Sequence, residues 1–414
     1  MKYSLCNNWE FTEIWSEDFC TGAPVPCQAV RLPHTCRELP LHYADPADYE
    51  MVCGYRRTLT LPDAPRLFLR FDGAAHQAAV YLNGQLVGEH LGGYTAFALE
   101  ITNFVHRDAE NLLAVRLDTR EDPALPPFGF VIDYLTYGGL YREVWLETTA
   151  ATCVTDLFVH TPTLTEAAVS VTTDATEKAA VLRVSLCAPD GAALVGQQLP
   201  AAAKAECTLT LPDAQPWGTD HPNLYTCRAE LLDAAGQVLD CRETTFGFRT
   251  AEFKADGFYL NGKKTFLRGL NRHQSYPYIG YAAPESLQRN DARILKNELH
   301  CNAVRTSHYP QSQHFLDECD KLGLLVFTEL PGWQHIGDAA WKDRACEMLR
   351  EMILQNRSHP SIILWGVRIN ESVDDDEFYN RTNKIAHELD SSRATSGVRY
   401  LEKSHLLEDV YAYN

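Results

Sequence analysis

An amide and a carboxyl side chain stand next to each other at Asn370 and Glu371, shortly after an apolar run. The run, residues 361–365, reads SIILW and is bounded by Pro360 and Gly366, a pattern typical of a strand buried on both faces of a parallel sheet. Ligands bind at the carboxyl ends of such strands. We therefore expect an amide that holds a hydroxyl beside a carboxyl that delivers a proton. The alternative is that Glu371 only caps the next helix, because a run of aspartates follows it.

Polar side chains also follow three earlier strands of the predicted sheet. His273 comes after the first strand, Arg305 and His308 after the second, and Glu329 after the third. Because parallel strands end on one rim, we expect these groups to lie near Glu371. Each has a structural alternative: a histidine is often a satisfied structural residue, and Arg305 could equally be an internal ion-pair partner of Glu329.

The available side chains suit a sugar better than a phosphate or a peptide. No glycine-rich phosphate loop precedes a helix, and neither HExxH nor GxSxG occurs, which removes common nucleotide, metalloprotease and α/β-hydrolase readings. Carboxyl, amide, imidazole and guanidinium groups remain, with Tyr309, Trp333 and Trp365 as nearby aromatics. Glycoside hydrolysis needs two carboxyl groups, one of which protonates the leaving oxygen.

The elements that must position these residues lie in the last part of the chain, residues 250–414. Strands and amphipathic helices alternate there, which predicts parallel βα units. The predicted strands are 264–270, 303–305, 324–327, 362–365, 397–399 and 409–413, and the predicted helices are 286–299, 311–322, 339–356 and 377–389. Six strands make an incomplete (β/α)₈ TIM barrel, which has eight. We therefore expect the chain to be a fragment that stops at strand six.

Two β-rich regions precede the barrel. Residues 1–147 contain short strands separated by turn signals, including Asn83-Gly84, a dipeptide favoured in tight hairpins; they predict a β-sandwich. Residues 148–249 contain roughly seven short strands, which fit an immunoglobulin-like β-sandwich. The alanine-rich stretch 199–205 is predicted to be a loop.

Composition limits the partners of this protein. The formal charge is -18, with 45% hydrophobic and 22% charged residues, which argues against binding nucleic acid or an anionic membrane. No apolar segment suits a signal peptide or a membrane span. The 13 cysteines form no CxxC pair and are predicted to be buried thiols in a reducing cytoplasm.

Several motifs resemble those of family 2 glycoside hydrolases, β-galactosidases in particular. The run 302–310 (NAVRTSHYP) with 323–327 (GLLVF) looks like the first barrel signature of this family. The second signature is resembled by His359-Pro360-Ser361, Trp365-Gly366 and Asn370-Glu371. The run 268–273 (RGLNRH) is similar to the opening barrel strand. In the sandwiches, 138–142 (GGLYR) resembles the sugar-binding domain, and 221–225 (HPNLY) and 246–249 (FGFR) resemble the immunoglobulin-like domain.

The resemblance implies a jelly-roll-like sugar-binding domain, an immunoglobulin-like domain and a TIM barrel, together forming a retaining exo-β-glycosidase that hydrolyses terminal β-D-galactosides. It implies that Glu371 is the proton donor and general acid/base, and that Asn370 binds the 2-hydroxyl. The other substrate-binding residues would be His273, His308, Arg305, Trp333 and, from the sugar-binding domain, Asp133. The partner is thus a β-galactoside or oligosaccharide, and the full-length parent is expected to be a homo-oligomer.

Two departures from the family pattern affect these expectations. Four residues separate Trp365 from Asn370, one more than the commonest spacing, and a bulge after the strand could restore the direction of Glu371. The family's nucleophile is a glutamate on strand seven, beyond Asn414, so we expect this fragment to be inactive.

Other functions and cofactors stay open at this point. The alternatives are a β-glucuronidase of the same family, a less favoured β-mannosidase, and a non-catalytic carbohydrate-binding protein. Glu329 matches a carboxylate that binds magnesium in some relatives, but Leu330-Pro331 follows it where those relatives carry a histidine. We therefore predict no required metal, and leave Mg²⁺ or Na⁺ open.

Overall fold

A computed structural model describes residues 1–40, 45–174 and 178–414. The chain folds into a β-sandwich, an immunoglobulin-like β-sandwich and a parallel half-barrel, as the sequence predicts. A three-stranded hairpin sheet, made by β18 Ala251–Lys254, β19 Gly257–Leu260 and β20 Lys263–Lys264, links the second sandwich to the half-barrel.

The first sandwich packs a four-stranded and a six-stranded sheet around one apolar core. Asn83 and Gly84 both have positive φ, so the predicted tight hairpin is confirmed. The last strand reaches Thr149, two residues past the predicted boundary at 147. The elements are β1 Lys2–Ser4, β2 Trp9–Thr12, α1 Glu17–Cys20, β3 Gln28–Val30, a 3₁₀ turn Pro46–Asp48, β4 Val52–Leu59, β5 Arg66–Phe71, β6 Gln77–Leu82, β7 Gln85–Leu91, β8 Phe97–Glu100, β9 Asn111–Asp118 and β10 Val144–Thr149.

The immunoglobulin-like domain packs a three-stranded sheet on a four-stranded sheet. Its strands are β11 Cys153–His160, β12 Glu166–Asp174, β13 Val181–Cys187, β14 Ala193–Pro200, β15 Lys204–Thr210, β16 Tyr225–Leu232 and β17 Val238–Phe246. The loop predicted at 199–205 is wrong at both ends, because β14 pairs with β13 and β15 pairs with β12 through those residues. Sheet pairing extends into both ends of the stretch, while 201–203 stay outside the strands.

The half-barrel is a six-stranded sheet in which the strands follow chain order and every pairing is parallel. Its helices cover the outer face and bury an apolar core against the strands. The elements are β21 Gly269–Asn271, α2 Glu285–Arg293, a π-helical segment Ile294–Glu298, β22 Ala303–Thr306, α3 Gln313–Leu322, β23 Leu325–Glu329, α4 Ala339–Asn356, β24 Ile362–Gly366, α5 Asp376–Leu389, β25 Ala394–Arg399 and β26 Val410–Tyr413.

Buried hydrogen bonds dock both sandwiches on the half-barrel. From the first sandwich, Arg142 donates to the carbonyl oxygen of Pro310 at 2.8 Å and to Gln274 Oε1 at 3.2 Å. In the opposite direction, Trp341 Nε1 donates to the carbonyl oxygen of Phe128 at 3.0 Å. From the second sandwich, Arg249 donates to the carbonyl oxygens of Pro360 and Ile362, both at 2.7 Å. The barrel rim therefore faces a fixed loop of the first sandwich.

The cysteines and helices bear on two further predictions. Each of the 13 cysteines is a free thiol, and most are buried, with Cys27 and Cys241 exposed. Among residues 1–40, 45–174 and 178–414, no helix combines the length and the apolar character needed to cross a bilayer.

Candidate active site

Asn370 and Glu371 lie on the loop that follows β24, alongside the loop that follows β23. Trp333 forms a parallel bridge with Asn370, and the backbone N–H of Gln334 donates to the Asn370 carbonyl oxygen at 2.7 Å. The next helix, α5, is capped by Asp375, whose side chain accepts from the N–H of Phe378. The helix-capping alternative for Glu371 is therefore wrong.

Arg305, on β22, is the central side chain of the rim. Its Nε and Nη2 donate to the two carboxylate oxygens of Glu329, both at 2.9 Å. Nη2 also donates to Asn370 Oδ1 at 2.6 Å and lies 3.2 Å from His308 Nδ1. The ion pair foreseen as one alternative for Arg305 is thus present, and the same guanidinium orients the Asn370 amide.

Glu329 is fully engaged by these contacts. His308 Nδ1 lies 2.8 Å from Glu329 Oε1, and the carboxylate is 2% exposed. Burial opposes its ionisation, but the charge of Arg305 and the bond from His308 outweigh that effect and lower the pKa of Glu329. Both oxygens face a cation or a ring N–H, so this donor set does not fit a metal ion, and Glu329 is not a suitable metal ligand here.

Asn370 presents an unused donor. The residue is 2% exposed, its Oδ1 is bound by Arg305, and its Nδ2 has no acceptor anywhere in the described residues. A buried N–H₂ group without an acceptor costs about 1–3 kcal/mol relative to a paired one. Such a group, held rigidly by a guanidinium, is arranged to receive an acceptor from outside the protein.

Glu371 stays accessible beside this amide. Its backbone N–H donates to the carbonyl oxygen of Val398 at 2.9 Å, and its φ is 54°. Gln334 Nε2 donates to Glu371 Oε2 at 3.3 Å, and Asn414 Nδ2 donates to Oε1. Both oxygens therefore accept from neutral amides, and the carboxyl has no cationic partner within the described chain.

The two predicted histidines lie together, with ring centroids 5.4 Å apart. A carboxylate only accepts, so the His308 proton toward Glu329 is on Nδ1, which leaves Nε2 for a ligand. His273 Nδ1 lies 3.0 Å from the hydroxyl of Tyr309. One face of the His273 ring is exposed, but burial of the rest of the ring and, to a smaller extent, the nearby His308 lower its pKa to about 4. His273 is therefore neutral near pH 7 and can both donate and accept.

The first sandwich reaches the site through one loop. Tyr134 packs its ring 5.2 Å from His273, 5.9 Å from His308 and 5.4 Å from Tyr309, measured between centroids. Its hydroxyl is buried without a partner among the described residues. Asp133 is exposed beside it and adds negative charge near the Tyr134 hydroxyl.

The structure thus brings Asn370, Arg305, Glu329, His308 and His273 into one connected group. Trp333 joins this group through its backbone, and Asp133 stands at its edge. Three side chains of the site were not predicted: Tyr134, Gln334 and Asn414, whose amide donates to Glu371. Tyr134 had one available signal, its position next to Asp133; Gln334 had none, because only the left-handed turn at its φ of 60° aims it at Glu371.

Three family models match the chain in order: "Glycosyl hydrolases family 2, sugar binding domain" at residues 30–150, "Glycosyl hydrolases family 2" at 152–249, and "Glycosyl hydrolases family 2, TIM barrel domain" at 251–412. Together they account for most of the 414 residues.

Similar individual proteins include two curated β-galactosidases and one solved structure. That of Thermoanaerobacter pseudethanolicus is 44% identical over 94% of this chain and 54% of its own length. That of Thermoanaerobacterium thermosulfurigenes is 44% identical over 99% of this chain and 59% of its own length. The crystal structure of Parabacteroides merdae β-glucuronidase is 29% identical with a TM-score of 0.88, over 100% of this chain and 57% of that one. The chain therefore spans somewhat more than half the length of these relatives.

Proposed function

Because the chain belongs to family 2 of the glycosyl hydrolases, we propose that it carries the acid/base part of a retaining β-galactosidase site. Glu371 protonates the departing glycosidic oxygen and then, as a base, activates water. Asn370 donates from Nδ2 to the 2-hydroxyl of the terminal sugar. The observation that carries this proposal is the buried Nδ2 of Asn370, without an acceptor in the described chain and adjacent to the accessible Glu371.

The remaining groups bind and orient the sugar. His308 Nε2 and the neutral His273 ring face the terminal residue and exchange hydrogen bonds with its hydroxyls. Arg305 does not contact the sugar in this proposal; it holds the Asn370 amide at 2.6 Å and is itself held by Glu329. We therefore assign Arg305 and Glu329 to positioning, and we do not assign Glu329 as the nucleophile that a retaining mechanism requires about 5–5.5 Å from the acid.

A galactoside is favoured over a glucuronide by charge as well as by similarity. The carboxylate of a glucuronide needs a cationic partner. The guanidinium at the centre of this rim, that of Arg305, is already paired with Glu329, and Asp133 and Glu371 add negative charge. The β-galactosidases named above are also 44% identical to this chain, against 29% for the glucuronidase structure.

The test compares matched nitrophenyl β-galactoside, β-glucuronide and β-mannoside at equal concentration, with galactose binding measured by calorimetry. In whichever form of the protein hydrolyses these glycosides, we expect kcat/KM to be highest for the galactoside. A higher value for the glucuronide would favour that activity, which the fold of the Parabacteroides enzyme also supports. Galactose binding without turnover would instead favour a carbohydrate-binding protein. Assaying the 414-residue chain by itself tests the expectation that it is inactive, and turnover of any of these glycosides by the chain alone would contradict that expectation.

A further inference from the structure

The turn that presents Glu371 is held in a conformation that its own sequence does not favour. Glu371 has a φ of 54°, the left-handed region that residues with a Cβ seldom occupy. Such a conformation persists only where surrounding contacts over-determine it. The Glu371 N–H bond to the carbonyl oxygen of Val398 fixes one point of this turn, and the Ser372 N–H closes it on the carbonyl oxygen of Ile369 at 3.3 Å.

Arg368 supplies the other fixed points from beneath the turn. Its side chain is 0% exposed, and Nη2 donates to the carbonyl oxygen of Ser372 at 3.2 Å and to Asp374 Oδ1 at 2.6 Å. The guanidinium carbon lies 4.5 Å from the ring centroid of Tyr379. The Tyr379 hydroxyl is 2.5 Å from Ser372 Oγ, which donates to the carbonyl oxygen of Ile369 at 2.9 Å. Arg368 therefore holds Ser372, directly after Glu371, and Ser372 in turn binds Ile369 on the other side of the turn.

This arrangement is costly for stability alone. The Nε and Nη1 atoms of Arg368 are buried and meet no acceptor within the described ranges, and a buried cation with unmet donors is unfavourable. An apolar side chain of similar volume often replaces a buried ion pair without loss of stability. Within the turn, Arg368 instead binds the carbonyl oxygen of Ser372, directly after Glu371, and its other Nη2 bonds go to Asp374 Oδ1 and to Ser404 Oγ at 2.9 Å.

We propose that Arg368 is a positioning residue for the general acid/base: it fixes the turn that aims the Glu371 carboxyl into the site. This inference rests on the proposed role of Glu371, but it concerns the backbone that carries Glu371 and can be tested without turnover.

Arg399 provides a matched control. It is also 0% exposed and forms a buried ion pair, with Glu408. Its guanidinium donates to the carbonyl oxygens of Gly397 and His405, so its described bonds do not include residues 369–372. Arg368→Met and Arg399→Met thus remove comparable buried cations, and only the first removes the support of the Glu371 turn. Arg368→Lys keeps the charge and tests partial rescue.

The first readout is hydrogen exchange of the backbone amides at 371–372 in the three variants and the parent. We expect Arg368→Met to speed exchange there at least tenfold, Arg368→Lys to speed it less, and Arg399→Met to leave it within about twofold. Unchanged exchange in Arg368→Met, or equal acceleration in Arg399→Met, would overturn the inference. Hydrogen exchange decides the inference about Arg368 even if the 414-residue chain hydrolyses no sugar. The proposed function fails separately, if no form of the protein hydrolyses a β-galactoside.

The second readout uses whichever form of the protein hydrolyses aryl β-galactosides. We expect Arg368→Met to lower kcat on a poor leaving group by about 100-fold, the loss typical of a small misplacement of a reacting group. KM should change little, and kcat should fall much less on a substrate with an activated leaving group. The fall in activity on the basic side of the pH profile should disappear. Equal losses on both leaving groups would show that Arg368 does not act through the acid/base.

Discussion

Replacing Arg305 by methionine should break the link between Glu329 and Asn370 and leave the buried Glu329 carboxylate without its cationic partner. Glu329 would keep only the His308 contact while remaining 2% exposed, and breaking a buried pair by removing one partner costs about 3–5 kcal/mol. We therefore expect the barrel domain of Arg305→Met to lose that amount of its free energy of unfolding. The pKa of Glu329 should rise, because the charge that holds it down is gone.

A second substitution separates the buried charge from the loss of arginine itself. In Arg305→Met/Glu329→Gln a neutral amide replaces the carboxylate, so we expect at least about 2 kcal/mol of the loss to be recovered as coupling energy. Activity should not recover with stability, because the Asn370 amide has lost the 2.6 Å bond that orients it. We expect turnover about 100-fold below the parent in both variants.

Urea denaturation followed by tryptophan fluorescence measures the first effect, since Trp341 and Trp365 are buried in the barrel core. Arg381→Met is the control: its ion pair with Asp343 is exposed on both sides, and such pairs contribute about 0–1 kcal/mol. A loss below about 1 kcal/mol in Arg305→Met, or a double variant with parental turnover, would refute the account of Arg305 as the link between Glu329 and Asn370.

Two further predictions concern the sandwich loop and the base of the barrel. Tyr134→Phe removes a buried hydroxyl that has no partner among the described residues, so the free energy of unfolding should stay the same or rise slightly. If the hydroxyl meets the sugar, KM for the galactoside should rise severalfold. An unchanged KM would show that the Tyr134 hydroxyl does not bind the sugar. The second prediction concerns His359, which is buried with its Nδ1 2.5 Å from Asp320 Oδ2. Burial alone would lower the pKa of His359, but the charge and hydrogen bond of Asp320 outweigh burial and raise it. The contribution of protonated His359 to the free energy of unfolding is therefore fully present below the pKa of about 6.5 that histidine has in the unfolded chain. This contribution is lost as the pH rises through the higher pKa of His359 in the folded protein. Urea midpoints measured from pH 6 to 9 should fall in the parent and stay flatter in Asp320→Asn, and parallel curves would contradict this.

Local sequence patterns predicted the barrel elements well where packing and propensity agree. The helix predicted at 339–356 matches α4. Its apolar stripe covers this range, and Asp338 caps the helix at its first turn, so both features agree on where the helix begins. The first barrel strand is different: the pattern at 264–270 reads as one strand, but Lys263–Lys264 completes a hairpin sheet and only Gly269–Asn271 joins the barrel. The residues of this stretch divide between the hairpin sheet and the barrel sheet, and which residues join which sheet depends on pairing with strands that are distant in sequence.

The site was predictable to the extent that it follows barrel strands in sequence. Arg305, His308 and Glu329 meet because parallel strands end on one rim. Tyr134 meets them only because Arg142 and Trp341 dock the first sandwich on the barrel, and no local pattern reports that docking. The support of Glu371 by Arg368 was equally hidden, because it depends on a left-handed turn and on contacts from α5.

The central claim is that Glu371 delivers the proton to the leaving sugar oxygen, and leaving-group dependence in Glu371→Gln tests it most directly. General acid catalysis contributes about 10²–10⁴-fold, and a strongly activated leaving group needs little of it. For the form of the protein that hydrolyses aryl β-galactosides, we predict that Glu371→Gln loses at least 100-fold in kcat/KM on a poorly activated galactoside and much less on a dinitrophenyl galactoside. A variant that hydrolyses the poorly activated galactoside at the parental rate would contradict the account.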